Sequence, residues 1–220
     1  MRIVFTGDSI TDAGRDKRNY HDLGHGYVSL VADRLREEMP NVEFEFINTG
    51  ISANRTGQLF DRIHYDAIAF QPDVVVLLIG INDIGRRYRP GEFHIETSDE
   101  QIEVNYRSVL TQIKTHTDAK IIIMSPYILD GDISKIFSLD TPNGDSMRKD
   151  LARITPVIEG LAKKYADDYI PLGKLFEDAL KTQPEPMYYT KDGIHPSASG
   201  AVFIAKACGD RLIKLLKNQV

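Results

Sequence analysis

Five short apolar segments alternate with amphipathic helical patterns along the 220 residues of this chain. One of them, Val74–Ile79, is apolar at every position and does not alternate between apolar and polar residues. Such a run is typical of a central strand in a parallel sheet, because helices cover both of its faces. Strands that alternate with helices form a parallel sheet between helical layers. The pattern therefore predicts one α/β domain over residues 1–220.

The other strands are predicted in shorter apolar segments, and the helices are predicted from apolar residues that recur every three or four positions. Pro40 and Pro72 end the first two helical patterns, because proline cannot continue a helix. Pro156 interrupts the fourth pattern, where it either kinks the helix or begins a new one after Thr155. The predicted strands are Ile3–Phe5, Phe44–Ile47, Val74–Ile79, Ile121–Met124 and Tyr169–Leu172, and the helical stripes cover residues 28–39, 59–70, 102–113, 151–165 and 204–215.

Charge and composition exclude several classes of protein. The net charge is −5 and the isoelectric point is near 5.7, so a basic surface that binds nucleic acid is not expected. The one cysteine, Cys208, lies on a helical stripe, which indicates a buried thiol and excludes an internal disulfide. The N-terminus lacks an apolar signal segment, and the longest apolar run, near residues 74–81, is too short to span a bilayer. We expect a cytoplasmic protein with no membrane partner, and a homo-oligomer is left open.

Four turns, after Phe5, Ile47, Ile79 and Met124, lie where the ligands of parallel α/β sheets bind, beyond the carboxyl ends of the strands. Three of them contain candidate site residues. Gly7-Asp8-Ser9-Ile10-Thr11 follows the first strand, where a glycine permits a tight bend that leaves Ser9 at the sheet edge. Gly50 follows the second strand, where its backbone N–H can point into a site. Asn82 follows the most apolar strand, where its amide can donate to an oxyanion. Each turn alone is equally explained as an ordinary cap or turn.

Asp192 and His195 lie three residues apart near the other end of the chain, and Pro196 keeps His195 out of helical geometry. With Ser9 they supply a nucleophile, an orienting carboxylate and a general base in the chain order Ser…Asp…His. A surface loop with an incidental histidine is the alternative for this pair alone. The combination predicts acyl-transfer chemistry through a serine.

Two other clusters give weaker signals. His21 and His25, with Asp22 between them, have the spacing of metal ligands on a helix, but nearby glycines argue against a helix and no third ligand is evident. A loop at the rim of the site is therefore predicted there, without a metal. The run Arg86–Arg89 follows Asn82 and is either solvated surface or a contact for a polar substrate.

The four blocks that contain these residues occur in the order and spacing of the GDSL esterases and lipases, also called SGNH hydrolases, which this chain resembles. The four marker residues of that family correspond to Ser9, Gly50, Asn82 and His195, and Asp192 completes the triad. The resemblance extends over nearly the whole chain. It implies a flavodoxin-like three-layer α/β/α sandwich with a five-stranded parallel sheet in the order 2-1-3-4-5.

The resemblance also implies roles for these residues. Ser9 would attack the ester, His195 would act as base, and Asp192 would orient the imidazole. The oxyanion would be bound by the N–H groups of Ser9 and Gly50 and by the side chain of Asn82. No metal or organic cofactor is implied.

Several loops more closely resemble the intracellular carbohydrate acetylesterases, such as the xylan acetylesterases. The similar segments are Gly26–Val28, Gly80–Asp83 with Arg86 and Tyr88 after it, and His195–Ser197. This chain has no tryptophan, which carbohydrate sites often use as a stacking surface. Tyrosines would have to serve instead, and the candidates are Tyr88, Tyr127, Tyr188 and Tyr189. The predicted substrate-binding residues are Arg86, Tyr88 and Tyr127.

The substrate class is predicted from the segments that are placed to wall the cleft, residues 84–99 and 125–145. Both are rich in Arg, Asp, Glu and Gly, whereas a lid that handles lipid would carry a continuous apolar stripe. Short acyl groups, chiefly acetyl, on an oligosaccharide or another small polar alcohol are therefore favoured. The alternatives are a lysophospholipase or acyl-thioesterase of the same family, and a non-catalytic flavodoxin-like module that binds an anion at the first turn.

Overall fold

The centre of the fold is a sheet of five parallel strands in the order β2-β1-β3-β4-β5. The computed structural model describes residues 1–88, 97–131 and 145–217. The strands are β1 (Arg2–Gly7), β2 (Glu45–Asn48), β3 (Val74–Leu78), β4 (Lys120–Met124) and β5 (Asp168–Ile170). This order confirms the flavodoxin-like topology that the resemblance implied, and every predicted strand lies within two residues of an observed one.

The helices lie in two groups around this sheet. One group contains α2 and α9, which pack against each other, and the other contains α3, α5 and α6, in which α5 packs against both neighbours. Short 3₁₀ turns cover Ile68–Phe70 and Arg86–Tyr88. The helices are α1 (Ser9–Asp12), α2 (Tyr27–Glu38), α3 (Thr56–Asp66), α4 (Ile81–Gly85), α5 (Asp99–His116), α6 (Asp145–Tyr165), α7 (Leu172–Leu180), α8 (Pro186–Tyr189) and α9 (Ala198–Lys217).

Strand β3 is the buried centre of the sheet, as its uninterrupted apolar sequence predicts. All of its side chains are buried, and Val75 lies between Val4 of β1 and Ile121 of β4. Because the helices remove both faces of the strand from water, no position favours a polar residue. Cys208 on α9 is also fully buried, and this burial raises the pKa of its thiol. It is therefore the inert core thiol that the sequence predicts.

Two prolines decide where the structure differs from the sequence pattern. The last strand ends at Ile170 and not at Leu172, because Pro171 has no N–H for the ladder and stands as the N-cap of α7. Pro156 does not begin a new helix, since α6 runs through it. The hydroxyl of the preceding Thr155 donates to the Leu151 carbonyl at 2.7 Å within that helix.

Candidate active site

The turn after β1 presents Ser9 at the first position of α1. A Cβ atom at Gly7 would lie 2.1 Å from the Leu78 carbonyl oxygen and 2.7 Å from Thr11 Oγ1, so only glycine lets the chain leave the sheet this close to β3. Asp8 is the N-cap, and its Oδ1 accepts the Ile10 N–H at 3.1 Å. This short, tightly packed turn fixes Ser9 at the carboxyl edge of the sheet.

Ser9, His195 and Asp192 form a continuous chain of hydrogen bonds. Ser9 Oγ lies 2.9 Å from His195 Nε2, and His195 Nδ1 lies 2.8 Å from Asp192 Oδ2. The histidine and aspartate side chains keep 33% and 24% of their surface exposed, so the imidazole is reachable from solvent. A base within hydrogen-bond distance of a hydroxyl, itself oriented by a carboxylate, is the arrangement that activates a serine nucleophile.

The loop that carries Asp192 and His195 is closed by its own hydrogen bonds. Asp192 Oδ1 accepts the N–H groups of Ile194 and His195 at 2.9 and 2.8 Å, which leaves Oδ2 for the imidazole. The Thr190 hydroxyl donates to the His195 carbonyl at 2.9 Å. The Leu129 N–H donates to the Gly193 carbonyl at 2.8 Å, which ties the loop to the segment after β4. These hydrogen bonds therefore fix the position of the His195 imidazole.

The pKa shifts of His195 and Asp192 are those expected for a hydrogen-bonded Asp–His pair. The hydrogen bond to Asp192 raises the pKa of His195 above its ordinary value, against the effect of partial burial. Burial alone would raise the pKa of Asp192, but hydrogen bonds from the His195 ring and from two amides outweigh it and hold that pKa below its usual value. Complete burial raises the pKa of Asp8 to about 7. Asp8 thus caps α1 from the interior, and the carboxylate that faces the imidazole is that of Asp192.

Asn82 is the second residue of the short helix α4 after β3, and its side chain is held in place. Its Nδ2 donates to the backbone carbonyl of Asn54 at 3.1 Å, and the residue is 8% exposed. A primary amide carries two N–H donors, so this bond leaves a second one. Asn54 lies in the turn after β2, which means that the turns after β2 and β3 meet at this point.

Gly50 does not agree with the predicted role as an oxyanion donor. Its N–H donates to Asn48 Oδ1 at 2.9 Å within the same turn, so the expected donor is already engaged. A Cβ atom at Gly50 would lie 2.3 Å from the Asp12 backbone nitrogen. The glycine is required because α1 packs directly against the turn, and not because its amide is open.

An open amide lies three residues further on, and sequence reasoning missed it. Ala53 has a left-handed backbone with φ of 66° and is exposed. Its N–H makes no hydrogen bond within the described residues, whereas the neighbouring Ser52 N–H donates to Asp12 Oδ2 at 2.8 Å. The sequence gives little indication of this open amide, because a left-handed backbone is uncommon for alanine and cannot be predicted from the residue type.

The predicted substrate-binding residues are in three different situations. Tyr127 is fully buried against Phe176, with ring centroids 4.7 Å apart, so its prediction as a surface for substrate is wrong. The Tyr88 hydroxyl donates to Asp150 Oδ2 at 2.9 Å and belongs to an ion-pair network around Arg87. Arg86 opens the 3₁₀ turn that follows α4, and it is partly buried.

The other sequence predictions for the rim can be placed only in part. Tyr189 is 7% exposed and unsuited to stacking, whereas Tyr188 is 48% exposed. Residues 21–25 form a loop, and no group of three or more potential metal ligands occurs in the described ranges. Arg89 and most of the two predicted cleft walls, residues 89–96 and 132–144, lie outside the described residues.

No helix within the described ranges is long and apolar enough to cross a membrane. The cytoplasmic location stays a prediction, and a homo-oligomer is still left open.

Known proteins resemble this chain in sequence and in fold. An acetylxylan esterase from Geobacillus stearothermophilus is 30% identical over 213 residues, which cover 94% of this chain and 91% of the relative. A crystal structure of an acetylxylan esterase from that organism matches with a TM-score of 0.82 at the same identity and coverage. Catalytic mutants of that enzyme, in which an aspartate, a serine or a histidine is replaced by alanine, match with TM-scores of 0.81.

The sequence model of the GDSL-like lipase/acylhydrolase family matches residues 5–202, which include Ser9, Asn82, Asp192 and His195. The fold, the hydrogen-bonded Ser-His-Asp chain and the similarity over nearly the full length lead to the same assignment. This chain belongs to the GDSL-like lipase/acylhydrolase family and is a hydrolase of carboxylic esters.

Proposed function

We propose that this protein is a serine esterase that removes acetyl groups from a carbohydrate or a similar small polar alcohol through an acyl-enzyme on Ser9. The observation that carries the proposal is the hydrogen-bonded chain from Ser9 Oγ through His195 to Asp192, at 2.9 and 2.8 Å. A flavodoxin-like binding module would have no use for this chain of contacts. The acetylxylan esterase relative supports acetyl as the acyl group.

The proposed reaction has two halves that use the same base. Ser9 Oγ attacks the ester carbonyl while His195 Nε2 accepts its proton, and the imidazolium then returns that proton to the leaving alcohol. Water next attacks the acyl-enzyme, again giving its proton to His195, and the acid leaves as Ser9 is regenerated. Asp192 keeps the proton of the neutral imidazole on Nδ1, so Nε2 is free to accept.

The oxyanion that forms in each half needs donors that are open in the resting site. The Ser9 N–H makes no hydrogen bond within the described residues, and Asn82 Nδ2 has one N–H left after its bond to the Asn54 carbonyl. We assign the third donor to the Ala53 N–H in place of Gly50, because Ala53 directly precedes Asn54 and its amide is open. Such donors act by stabilising charge that develops only in the transition state.

Asn82→Ala is expected to lower kcat about 10²–10³-fold with KM changed by less than about twofold, because only the transition state carries the oxyanion. Steady-state kinetics with p-nitrophenyl acetate measure both constants. Asn105→Ala is the matched control, since Asn105 is equally buried but its Nδ2 donates to the Thr56 hydroxyl and not to the Asn54 carbonyl. A rise in KM with kcat unchanged would show that Asn82 binds the ground state, against the assignment.

The preference for acetyl groups has its own test. A site that gained from burying the acyl chain would improve up to about fourfold per methylene, which corresponds to about 0.8 kcal/mol. We expect the opposite, with kcat/KM for p-nitrophenyl esters falling beyond about four acyl carbons. Acetylated xylo-oligosaccharides should be hydrolysed as well. Preference for octanoate or a lysophospholipid over acetate would support the lysophospholipase or thioesterase alternative instead.

The same substrates test the proposed sugar contact at Arg86. Arg86→Ala should lower kcat/KM for an acetylated xylo-oligosaccharide and leave p-nitrophenyl acetate unchanged, because the small ester has no sugar to hold. Arg107→Ala, on the outer surface of α5 and paired with Glu103, is the control. Equal losses on both substrates would remove Arg86 from the alcohol side of the site.

A further inference from the structure

Arg62 on α3 connects the turns after β1 and β2 at the carboxyl edge of the sheet, although no catalytic motif of the sequence contains it. Its Nε donates to Asn54 Oδ1 at 2.8 Å, one terminal nitrogen donates to the Thr49 carbonyl at 2.7 Å, and the other donates to the Gly7 carbonyl at 2.9 Å. A fourth bond joins the guanidinium to Asp66, one turn along the same helix. The arginine side chain is only 14% exposed.

The three acceptors lie in the two turns that present or hold groups of the proposed site. Gly7 precedes Asp8 and Ser9 in the turn that presents the nucleophile. Thr49 lies in the turn after β2, and Asn54 closes that turn while its carbonyl accepts from Asn82 Nδ2 at 3.1 Å. One side chain therefore fixes the separation between the turn that presents Ser9 and the turn that holds Asn82.

Only arginine has the donors for this arrangement. The guanidinium is planar and carries five N–H groups in a rigid fork, whereas a lysine ammonium is a compact charge on a flexible stem. Here four of those N–H groups are used on four separate acceptors. The carboxylate of Asp66, which is 12% exposed, compensates the charge that burial would otherwise penalise.

We propose that Arg62 is a positioning residue for the esterase reaction: it holds the turn after β1 against the turn after β2, whose Asn54 carbonyl binds Asn82, so that Ser9 and Asn82 address the same ester carbonyl. The inference rests on the proposed function, because its effect is expected in the catalytic step. A displacement of about 1 Å between a nucleophile and its oxyanion donors is enough to cost about 100-fold in rate.

The test compares Arg62→Lys with Arg34→Lys. Arg34 is the matched control, because it also bridges a backbone carbonyl, that of Lys206, and a carboxylate, Asp210, but it does so between α2 and α9. Thermal denaturation gives Tm, and p-nitrophenyl acetate gives kcat and KM. Arg62→Lys should lower kcat about 10–100-fold with KM within about twofold, and Arg34→Lys should keep kcat within about twofold. Similar kcat values for the two variants would overturn the proposal.

Chemical rescue distinguishes positioning from a general loss of structure. Ethylguanidinium, at a concentration that leaves the wild-type Tm unchanged, should raise kcat of Arg62→Ala and leave Arg34→Ala unaffected. If Arg62→Ala does not fold, Asn54→Ala removes one acceptor while keeping the carbonyl that holds Asn82, and kcat should fall about tenfold at constant KM. Absence of rescue in a folded variant, or full kcat in Asn54→Ala, would overturn the proposal. A wild-type protein that hydrolyses no ester would instead contradict the proposed function.

Discussion

Ser9→Ala is expected to lower kcat for p-nitrophenyl acetate by about 10⁵–10⁶-fold, since the residual rate comes only from the remaining binding and oxyanion donors. The substitution removes Oγ and its 2.9 Å contact with His195 Nε2. The fold should be retained, because the turn is built by Gly7 and by the Asp8 cap on Ile10. Steady-state kinetics and circular dichroism on the same preparation measure activity and folding together.

The matched control is Ser29→Ala, which removes a hydroxyl that donates to the Gly26 carbonyl at 2.9 Å at the start of α2. It should leave kcat unchanged within about twofold, because the hydroxyl bonds a backbone carbonyl at the start of α2 and touches no triad residue. Full activity in Ser9→Ala would exclude the acyl-enzyme and favour the non-catalytic binding module.

Asp192→Asn should lower kcat about 10⁴-fold while the loop keeps its shape. Asparagine keeps an Oδ1 that accepts the Ile194 and His195 amides, but it places an N–H₂ where Oδ2 faces His195 Nδ1. Nδ1 must then accept, so the imidazole proton moves to Nε2, which can no longer take the proton of Ser9. Steady-state kinetics measure the loss, and Asp168→Asn, which alters a surface pair with Arg211, is the control.

The pH dependence of this variant gives a second readout. In the wild type, activity should rise with pH through a value above the ordinary histidine pKa of about 6.5, because Asp192 stabilises the imidazolium. In Asp192→Asn that carboxylate is gone, so the remaining activity should rise at lower pH. Asp8 and Lys191 still face His195 in both proteins, with opposite effects on its pKa. An unchanged pH profile and an unchanged kcat would show that another acceptor orients the imidazole.

The features of the fold and of the site that can be predicted from the sequence depend on local patterns. A run of six apolar residues, Val74–Ile79, predicts a central parallel strand because both faces of such a strand are covered. Asp192 and His195 are three residues apart, so one turn is enough to bring them together. The rule that ligands bind beyond the carboxyl ends of the strands places Ser9 at the site. The meeting of Ser9 with this loop was implied only by the family resemblance, because the loop follows helix α8 and not a strand.

The parts that could not be predicted depend on contacts between distant segments. Tyr127 follows β4 at the correct edge, but Phe176 on α7 holds its ring in the core. The bonds of Arg62 to the turns after β1 and β2 leave no periodic pattern in the sequence, because the acceptors in Gly7, Thr49 and Asn54 all lie outside its own helix. The role predicted for Gly50 does not fit because of a local contact. The Gly50 N–H donates to the Asn48 side chain two residues earlier, a turn pattern that Asn-x-Gly allows.

Covalent labelling of the active protein tests the central claim most directly, because an acyl-enzyme requires one hydroxyl to act as nucleophile. A fluorophosphonate probe reacts with a serine only where a base activates it and an oxyanion site accepts the product. We expect complete loss of esterase activity at one probe per chain, with peptide mass spectrometry placing the adduct on Ser9 and no labelling of Ser9→Ala. An adduct on another residue that accompanies the loss of activity, or activity that persists when Ser9 is labelled, would contradict the account.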